Sequence, residues 1–482
     1  MLLFQRINNL FNAAIGRNQA LEQLIEAGDI ERALSTYTSR AEMAEVAINE
    51  YDVESHNIMF REDKILKNAK GDRKGTLKKW KLPINYPEFI NEVALVFLYG
   101  QPVKWRCTTS TKTKNAFEAY LQLLKRTHFS SKLRECKRIA GAETQSAMLF
   151  RVFRDEQGKA DCQIRVLARS KGDEIYARWD IYENLTSVAW GYHAKDGESE
   201  SSYHIEIYLP EVIYHCVRGK MGWNVKKEKN PIGKIPIILF EQNKEWKGVE
   251  PLIEREEYIG SRTADTNDYF SDPMLFVNAD VIKNMPEKDT ENKTFLFKGD
   301  NSASNQAFYL TWDSAPESKQ KEIDWLQKHI LSKTFTPDID FEKMKGLSNV
   351  SGKALKQMML LADIKANKHK EKHDEYLTRT SSLCLAIIGN VLNVALKAEC
   401  DKCVIEHNFS EPFGEDISEM LNNVIKAKDG DVLSQETAVE LNPFVIDKEV
   451  EIQRLQKENE EAVQAQRDLF GSKQTSEDIY GN

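Results

Sequence analysis

The stretch FTPDIDFEKMKGLSNVSGKALKQMML, residues 335–360, decides the fold, because its centre, GLSNVSGKAL, has the outline of a phosphate-binding loop that opens a helix. Such a loop requires G-x-x-x-x-G-K followed by Ser or Thr: glycine amides wrap the phosphates, the lysine reaches them and the hydroxyl holds Mg²⁺. Here five residues separate Gly346 from Gly352, and Ala354 stands where the hydroxyl is needed. The preceding FTPDIDFEKM carries Pro337 and three acids in place of the apolar strand that delivers a phosphate loop. Spacing, metal ligand and context fail together, so the nucleotide reading is set aside. What remains is local. Ser351 is expected to cap a long helix, GKALKQMMLLADIKANKHKEKHDEY, with Gly346 and Asn349 supplying turn chemistry before it.

The chain of 482 residues is long enough for about three domains or subdomains. Its formal net charge of −8 excludes a general nucleic-acid binder, though not the passage of DNA alongside it. The longest apolar run, LCLAIIGNVLNVAL at 383–396, is interrupted by Gly389, Asn390 and Asn393 and is shorter than the roughly 20 residues that span a bilayer, so it reads as a buried helix. The start, MLLFQRINNLFNAA, lacks a secretory leader's pattern and is expected to be a helix docked on protein. Seven scattered cysteines read as free thiols of a reducing compartment.

Residues 2–59 carry helical periodicity, and the basic stretch REDKILKNAKGDRKGTLKKWK (61–81) reads as a solvated loop, or as a contact for nucleic acid or an acidic neighbour. INYPEFINEVALVFLYGQPVKW is a helix entered at Pro87 and closed at Gly100, with Pro102 forbidding continuation. Between 145 and 240 the period changes to that of strands: AMLFRVF, the turn DEQG and CQIRVLA form a hairpin, followed by IYARWDIY, SVAWGYHA, YHIEIYL, VIYHCVR and PIILF. Two polar helices, GVEPLIEREEYIGSRTADTNDYFSD and SKQKEIDWLQKHILSK, then flank a small insert with the strand-like MLFV, TFLF and AFYLTW. Neither helix has a wide apolar stripe. One offers Leu252, Ile253, Tyr258 and Ile259 and the other Ile323, Leu326, Ile330 and Leu331, so the pair is expected to pack against neighbouring subunits. From about 399 a further unit holds one strand, helices punctuated by Gly430 and Pro443, an acidic C-terminal helix and a disordered tail, GSKQTSEDIYGN.

Candidate chemistry is sparse. HKEKH places His369 and His373 one helical turn apart, but a zinc protease needs Glu directly after the first His, where Lys370 stands; a solvated helix face is the preferred reading. CDKC at 400–403, with His407 nearby, is one cysteine pair without a second. NLT, NKT and NFS fit the glycosylation pattern but mean nothing without a secretory route. No nucleophile elbow, kinase signature or dinucleotide fingerprint occurs. No catalytic, cofactor-binding or metal residue is nominated, and no cofactor is expected.

Four passages, in order, resemble the portal or head-to-tail connector proteins of tailed bacteriophages. SHNIMFRED with INEVALVFLYGQPVKW resembles the family's N-terminal region, ending in the turn Tyr99–Gly100–Gln101–Pro102, which places its glycine one residue early. NPIGKIPIILFEQNKEWKGVEPLIEREEYIGSRTADTNDYFSD resembles the strand leading into the first stem helix. IDWLQKHILSKTFTPDIDFEKMKGLSNVSGKALKQMMLLADIKANKHKEKHDEY resembles the second stem helix, tunnel loop and following helix, and LSQETAVELNPFVIDKEVEIQRLQKENEE resembles the crown segment.

The resemblance implies an α+β, mainly helical fold: wing at 1–248, stem helices at 249–272 and 317–335, clip at 273–316, tunnel loop at 336–351, long wing helix at 352–398, and crown with C-terminal tail at 399–482. It implies a ring, usually a dodecamer, at one capsid vertex of the virion, assembled in the bacterial host cytoplasm, and no membrane. The partners it implies are a terminase large subunit, a head-completion adaptor, a major capsid or scaffolding protein, and double-stranded DNA passing through. Lys343, Lys345, Gly346, Ser348, Asn349, Ser351 and Lys353 become candidates for the DNA-facing tunnel loop. Asn284, Glu287, Lys288, Asp289 and Asn292 become candidates for docking at the clip. Competing readings are another ring-forming connector component, a metal-dependent hydrolase built on HKEKH or CDKC, and a DNA-binding regulator using 61–81.

Overall fold

Apolar and aromatic runs bounded by turn residues in the 145–240 region build two antiparallel sheets that pack on one another in a computed structural model of the chain; the central strands are buried along several consecutive residues. The structure describes residues 20–67, 73–108, 113–195, 201–271, 274–278, 294–297, 308–310, 316–338, 359–410, 417–442, 444–445 and 448–477. The expected N-terminal docking helix at 1–14 lies outside them. The chain forms two compact units, the first running to Ser410 and the second from Glu411.

In the first unit, β5 (Gln145–Arg154) pairs with β6 (Ala160–Leu167) as the expected hairpin, and β12 (Ile237–Glu241) joins the other edge of β5. Asp155 closes the hairpin turn by accepting the amides of Gln157 and Lys159, while Gly158 takes the positive φ that the turn needs. The larger sheet has the order β1-β7-β8-β9-β10-β11, from β1 (Thr38–Ser39) through β7 (Glu174–Trp179), β8 (Leu185–Ala194), β9 (Ser202–Tyr208) and β10 (Val212–Gly219) to β11 (Gly222–Lys229). The lysine-rich β11, GWNVKKEK, is absent from the sequence reading. It is the sheet's edge, where exposed lysines blunt an open row of backbone groups and dilute the apolar signal.

Ala147, Leu149, Val188, Trp190, Ile237 and Leu239 fill the space between the sheets. The outer face of the larger sheet is covered by helical residues 20–26 and α1 (Ile30–Leu34), through Leu21, Ile25 and Ile30. The other face of β5 and β6 packs on helices α3 (Tyr86–Tyr99), α4 (Lys114–Arg126) and α5 (Phe129–Glu143), and on the C-terminal half of the long helix α8 (Leu360–Ile387). Preceding these, α2 is Ala41–Tyr51, and the two long polar helices are α6 (Glu250–Ser271) and α7 (Pro316–Lys333).

The basic stretch 61–81 departs from expectation. Instead of a loop it contains strands β2 (Lys64–Lys67) and β3 (Arg73–Leu77), paired antiparallel. β4 (Lys104–Cys107) pairs with β16 (Ile405–Asn408), which places 399–410 in the first unit. The apolar run at 383–396 is a buried helix only as far as Ile387. It then widens into a π-helical turn at Ile388–Leu392, where Gly389 lets Lys397 and Cys400 approach closely and Asn390 donates to the Ile232 carbonyl. In the second unit, Ser434 caps α10 (Gln435–Leu441), which follows α9 (Ile417–Asp429) and precedes α11 (Lys448–Glu477). That last helix takes in GSKQTSE, for which disorder is expected from sequence; exposed pairs such as Lys457 with Glu461 support its solvated length.

Two glycines on helices give opposite expectations. A Cβ at Gly141 would lie 2.0 Å from Asn91 Oδ1 and 3.2 Å from Glu245 Cγ, whereas at Gly260 it would meet nothing within 4 Å. Gly141→Ala is expected to destabilise by about 1–3 kcal/mol through overpacking. Gly260→Ala should stabilise by roughly 0.5–1 kcal/mol through helix entropy. Urea unfolding of both variants checks the contrast.

Candidate functional site: two long helices and their buried root

Helices α6 and α7 stand side by side, bridged by polar groups rather than by an apolar seam. Arg255 pairs with Glu322 at 2.9 Å, and Gln327 donates to Glu256 at 3.0 Å. Tyr86 also donates to Glu256, whose carboxyl is raised above the usual range by burial. The apolar contribution concentrates at one end, where Ala47, Ile90, Trp246, Val249, Ile253 and Ile330 form a small core. Leu326 and Ile259 are also buried, while Tyr258 is 40 % exposed. Between the helices, β13 (Met274–Asn278) lies central in a three-stranded sheet, parallel to β14 (Thr294–Phe297) and antiparallel to β15 (Phe308–Leu310).

One face of α6 is zippered to an extended segment of the N-terminal region. The amide of Ile84 donates to Glu257 at 2.8 Å, that of Leu82 to Ser261 Oγ at 3.0 Å, and that of Trp80 to Asp265 at 2.9 Å. The match is geometric. Two residues of extended chain advance about 6.6 Å and four residues of helix about 6.0 Å, so alternate amides meet every fourth helical side chain. The Trp80 indole adds a bond to Asp268, and Arg61 and Lys79 both reach Asp265. The acidic neighbour that the basic stretch left open is therefore this chain's own helix, at least for Arg61 and Lys79.

The two ends of the zipper titrate differently. His56 lies between the Glu257 carboxylate, 2.6 Å from Nδ1, and the Glu50 carbonyl, 2.9 Å from Nε2. Two acceptors require both ring nitrogens to donate, and the bond to Glu257 raises the His56 pKa above 6.5 despite burial. At Asp265, burial pushes the pKa up, but the bonds from the Trp80 amide, Arg61 and Lys79 outweigh it and hold it below the usual value.

The root itself is a buried ion cluster centred on Glu245, just before α6. Its carboxylate takes Lys137 of α5 at 2.5 Å, Lys365 of α8 at 2.9 Å, His369 of α8 at 3.1 Å and Gln242 at 2.8 Å. Lys137 has no exposed side-chain surface and Glu245 has 2 %. Burial alone would raise the Glu245 pKa; Lys137, Lys365 and His369 overcome it and hold the carboxyl well below its ordinary value. Burial lowers the pKa of both His369 and His373, and neutral His373 meets the Tyr99 hydroxyl at 2.8 Å.

HKEKH is therefore not a solvated face. With Ala362, Lys365, Ala366 and Leu377, buried His373 and half-buried His369 line the inner side of α8, a stripe at intervals of three and four that the flanking lysines concealed in the sequence. Lysines beside the carboxylate repel a cation, and among the described residues no group of three or more ligands is arranged for a metal. All seven cysteines are free. Cys400 and Cys403 are held as thiols by burial, Cys403 being pushed up to about 12; its sulfur lies 3.7 Å from that of Cys107. His407 faces Asp374 at 2.9 Å.

The expected DNA-facing residues Lys343, Lys345, Gly346, Ser348, Asn349, Ser351 and Lys353 lie outside the described residues. So do the expected docking residues Asn284, Glu287, Lys288, Asp289 and Asn292. The structure does describe the helix before the first group, α7, and the one after it, α8, whose first turns carry Lys365 to Glu245.

Comparison with known proteins follows the same lines. The family model described as "Phage portal protein, SPP1 Gp6-like" matches residues 31–465. The portal protein of Bacillus phage SPP1 is 27 % identical over 281 residues, which cover 55 % of this chain and 51 % of that protein, so the chain spans about half the length of this curated relative. A chain from the solved structure titled "Neck of native GTA particle computed with C12 symmetry" aligns with TM-score 0.40 and 10 % identity over 75 % of this chain and 91 % of its own, too loose a likeness to carry an argument.

Two outcomes are expected. Glu245→Gln leaves two buried lysines without their counter-charge and should destabilise by roughly 3–5 kcal/mol, measured by denaturant unfolding. For the zipper, Asp265 contributes fully above its unfolded pKa and the contribution is lost as pH falls through its lowered folded value. The His56 pair contributes fully below its unfolded value and is lost as pH rises through the raised one, so attachment is strongest between about pH 4 and 6.5. Asp265→Asn should weaken hydrogen-exchange protection of the Trp80 amide by tenfold or more, about 1.5–3 kcal/mol, and leave Ile84 protected.

Proposed function

Since the chain belongs to the phage portal protein family, SPP1 Gp6-like, we propose that it forms a ring at one vertex of a phage capsid, through which DNA is packaged and later ejected. The observation that carries this reading is the family match across residues 31–465, which takes in both long helices, the strands between them and the segment after α7. The family is a structural one. In this reading the energy for translocation comes from a separate terminase ATPase, and the ring supplies a channel and docking surfaces.

The charge of the chain suits that task. A subunit of net charge −8, repeated around a ring, gives a largely repulsive bore. Each persistent lysine–phosphate contact releases counterions and strengthens binding, so many of them would stall a sliding duplex. The loop at 336–351, with Lys343, Lys345 and then Lys353, supplies a few transient contacts, and Gly346, Ser348, Asn349 and Ser351 belong to the same DNA-facing segment. In the same reading α6 and α7 are stem helices, 273–316 is the clip, and 399–482 is crown, its first residues, 399–410, joining β4 in the first unit. The clip, with Asn284, Glu287, Lys288, Asp289 and Asn292, docks first the terminase large subunit and then a head-completion adaptor, while the wing meets capsid or scaffolding protein. Assembly takes place in the bacterial cytoplasm and the ring ends in the virion. Among the described residues no helix is long and apolar enough to cross a membrane.

Two deletions test the reading. Removing 343–349 should leave rings intact and abolish or stall packaging of DNA into procapsids; full packaging by the deleted protein would overturn the loop's role. Replacing 284–293 by a short linker should spare folding of the rest and weaken terminase and adaptor binding by at least about tenfold, as loss of an interface hot spot does. Unchanged binding in a pull-down would place docking elsewhere.

A further inference from the structure

The hairpin β2–β3 is a two-stranded ribbon whose described side chains are turned outward. Ile65, Leu66 and Leu77 are 53, 39 and 41 % exposed, and Lys64 and Arg73, with Lys78 and Lys81 on the adjoining strap, are exposed as well. An isolated two-stranded hairpin is marginal in water and gains its stability by covering its apolar side chains. Its base is nonetheless fixed, through Arg61, Lys79 and Trp80, to Asp265 and Asp268 of α6. A ribbon that is anchored at its base, apolar and basic along its length, is built to reach another surface.

A surface of opposite character lies at the root of the same helix. A cavity of about 300 Å³ takes its apolar lining from Val46, Trp246 and Ile253 and its carboxylates from Glu50, Glu250, Glu254 and Glu257; Lys244 pairs with Glu50 and Glu250 and His56 with Glu257, so among the described residues Glu254, which meets the Asn57 amide, is the carboxylate without a cation of its own chain. The hairpin cannot easily fill the cavity of its own chain. The strap leaves the cavity rim at Glu257 and runs along α6 to Asp265, so it carries the hairpin away from that root. Asp265 and Glu254 are eleven residues apart on the helix, about 16 Å of rise.

We propose that the β2–β3 hairpin is an intersubunit arm: its apolar and basic side chains dock in the acidic, tryptophan-floored cavity at the α6 root of a second copy of this chain. Two different, complementary patches on one molecule make a head-to-tail contact, which closes into a ring when the rotation permits. Lysine and arginine stems cover the apolar lining while a cationic head meets Glu254. The arm thereby ties each copy's α6, through the zipper, to the helix root of its neighbour. The inference rests on the ring reading and names the contact that sets ring closure.

The test uses the full chain with Ile65→p-benzoylphenylalanine, assembled from a mixture of ¹⁴N- and ¹⁵N-labelled copies, irradiated and mapped by mass spectrometry. The expected result is mixed-isotope cross-links from residue 65 to the peptide containing Trp246–Glu257. Cross-links confined to one copy, to another segment of the second copy, or to duplex DNA added to the rings would overturn the arm's assignment while leaving rings in place. If the unmodified chain gives no rings at all, the ring reading fails and the arm with it. A charge exchange provides an independent check: Glu254→Lys should raise the concentration for half-assembly about tenfold, as like charges do across an interface, and Lys64→Glu in the same chain should restore it. Loss without rescue would count against the contact.

Discussion

The buried carboxylate of Glu245 ties the root of α6 to α5 and α8. It sits just before α6, takes one lysine from α5 and a lysine and a histidine from α8, and is shielded from water on all sides. Isolated buried charges are costly, so the cluster exists only because its members meet together. The consequence is mechanical: α6 cannot shift at its root without exposing two lysines to an uncompensated apolar interior. Gly141 belongs to the same joint, since only a residue without a side chain lets α5 approach Asn91 and Glu245 so closely.

From that root, α6 is guided by a second polar device. The zipper of Ile84, Leu82 and Trp80 onto Glu257, Ser261 and Asp265 replaces the apolar seam that two such polar helices lack. Polar attachment has a physical merit for the proposed ring. Hydrogen bonds and ion pairs fix direction and register, whereas a wide apolar face would invite nonspecific association before assembly. The same attachment positions the β2–β3 ribbon, so a carboxylate on α6 governs both the helix and the arm.

Most strands of the 145–240 region, the two long helices and the α3 helix with its closing Gly100 were legible in the sequence because each is an apolar run or helical stretch bounded by a glycine, a proline or a turn. The hairpin of β2 and β3 was not, since its lysines read as solvent-facing loop and its pairing partner is merely the next segment of chain. The β11 edge strand was hidden for a related reason: edges are protected by the very charges that erase a strand's apolar signal. For HKEKH, the lysines between the histidines suggested water, yet the stripe of Ala362, Ala366, His369, His373 and Leu377 contained the burial signal. No local pattern announces Glu245 as their partner, because the pairing is between residues more than a hundred positions apart. The family resemblance supplied the order of parts, while the geometry of the root, the zipper and the arm belongs to this chain's own residues.

The central claim is that this chain closes into a ring around a channel. Electron microscopy of the purified full-length protein, with native mass determined on the same sample, tests it most directly. Rings of about a dozen copies with an open centre, the stoichiometry that the family resemblance implies, are the expected result. A uniform population of monomers or dimers at every concentration that can be imaged, and in the presence of capsid proteins, would contradict the account.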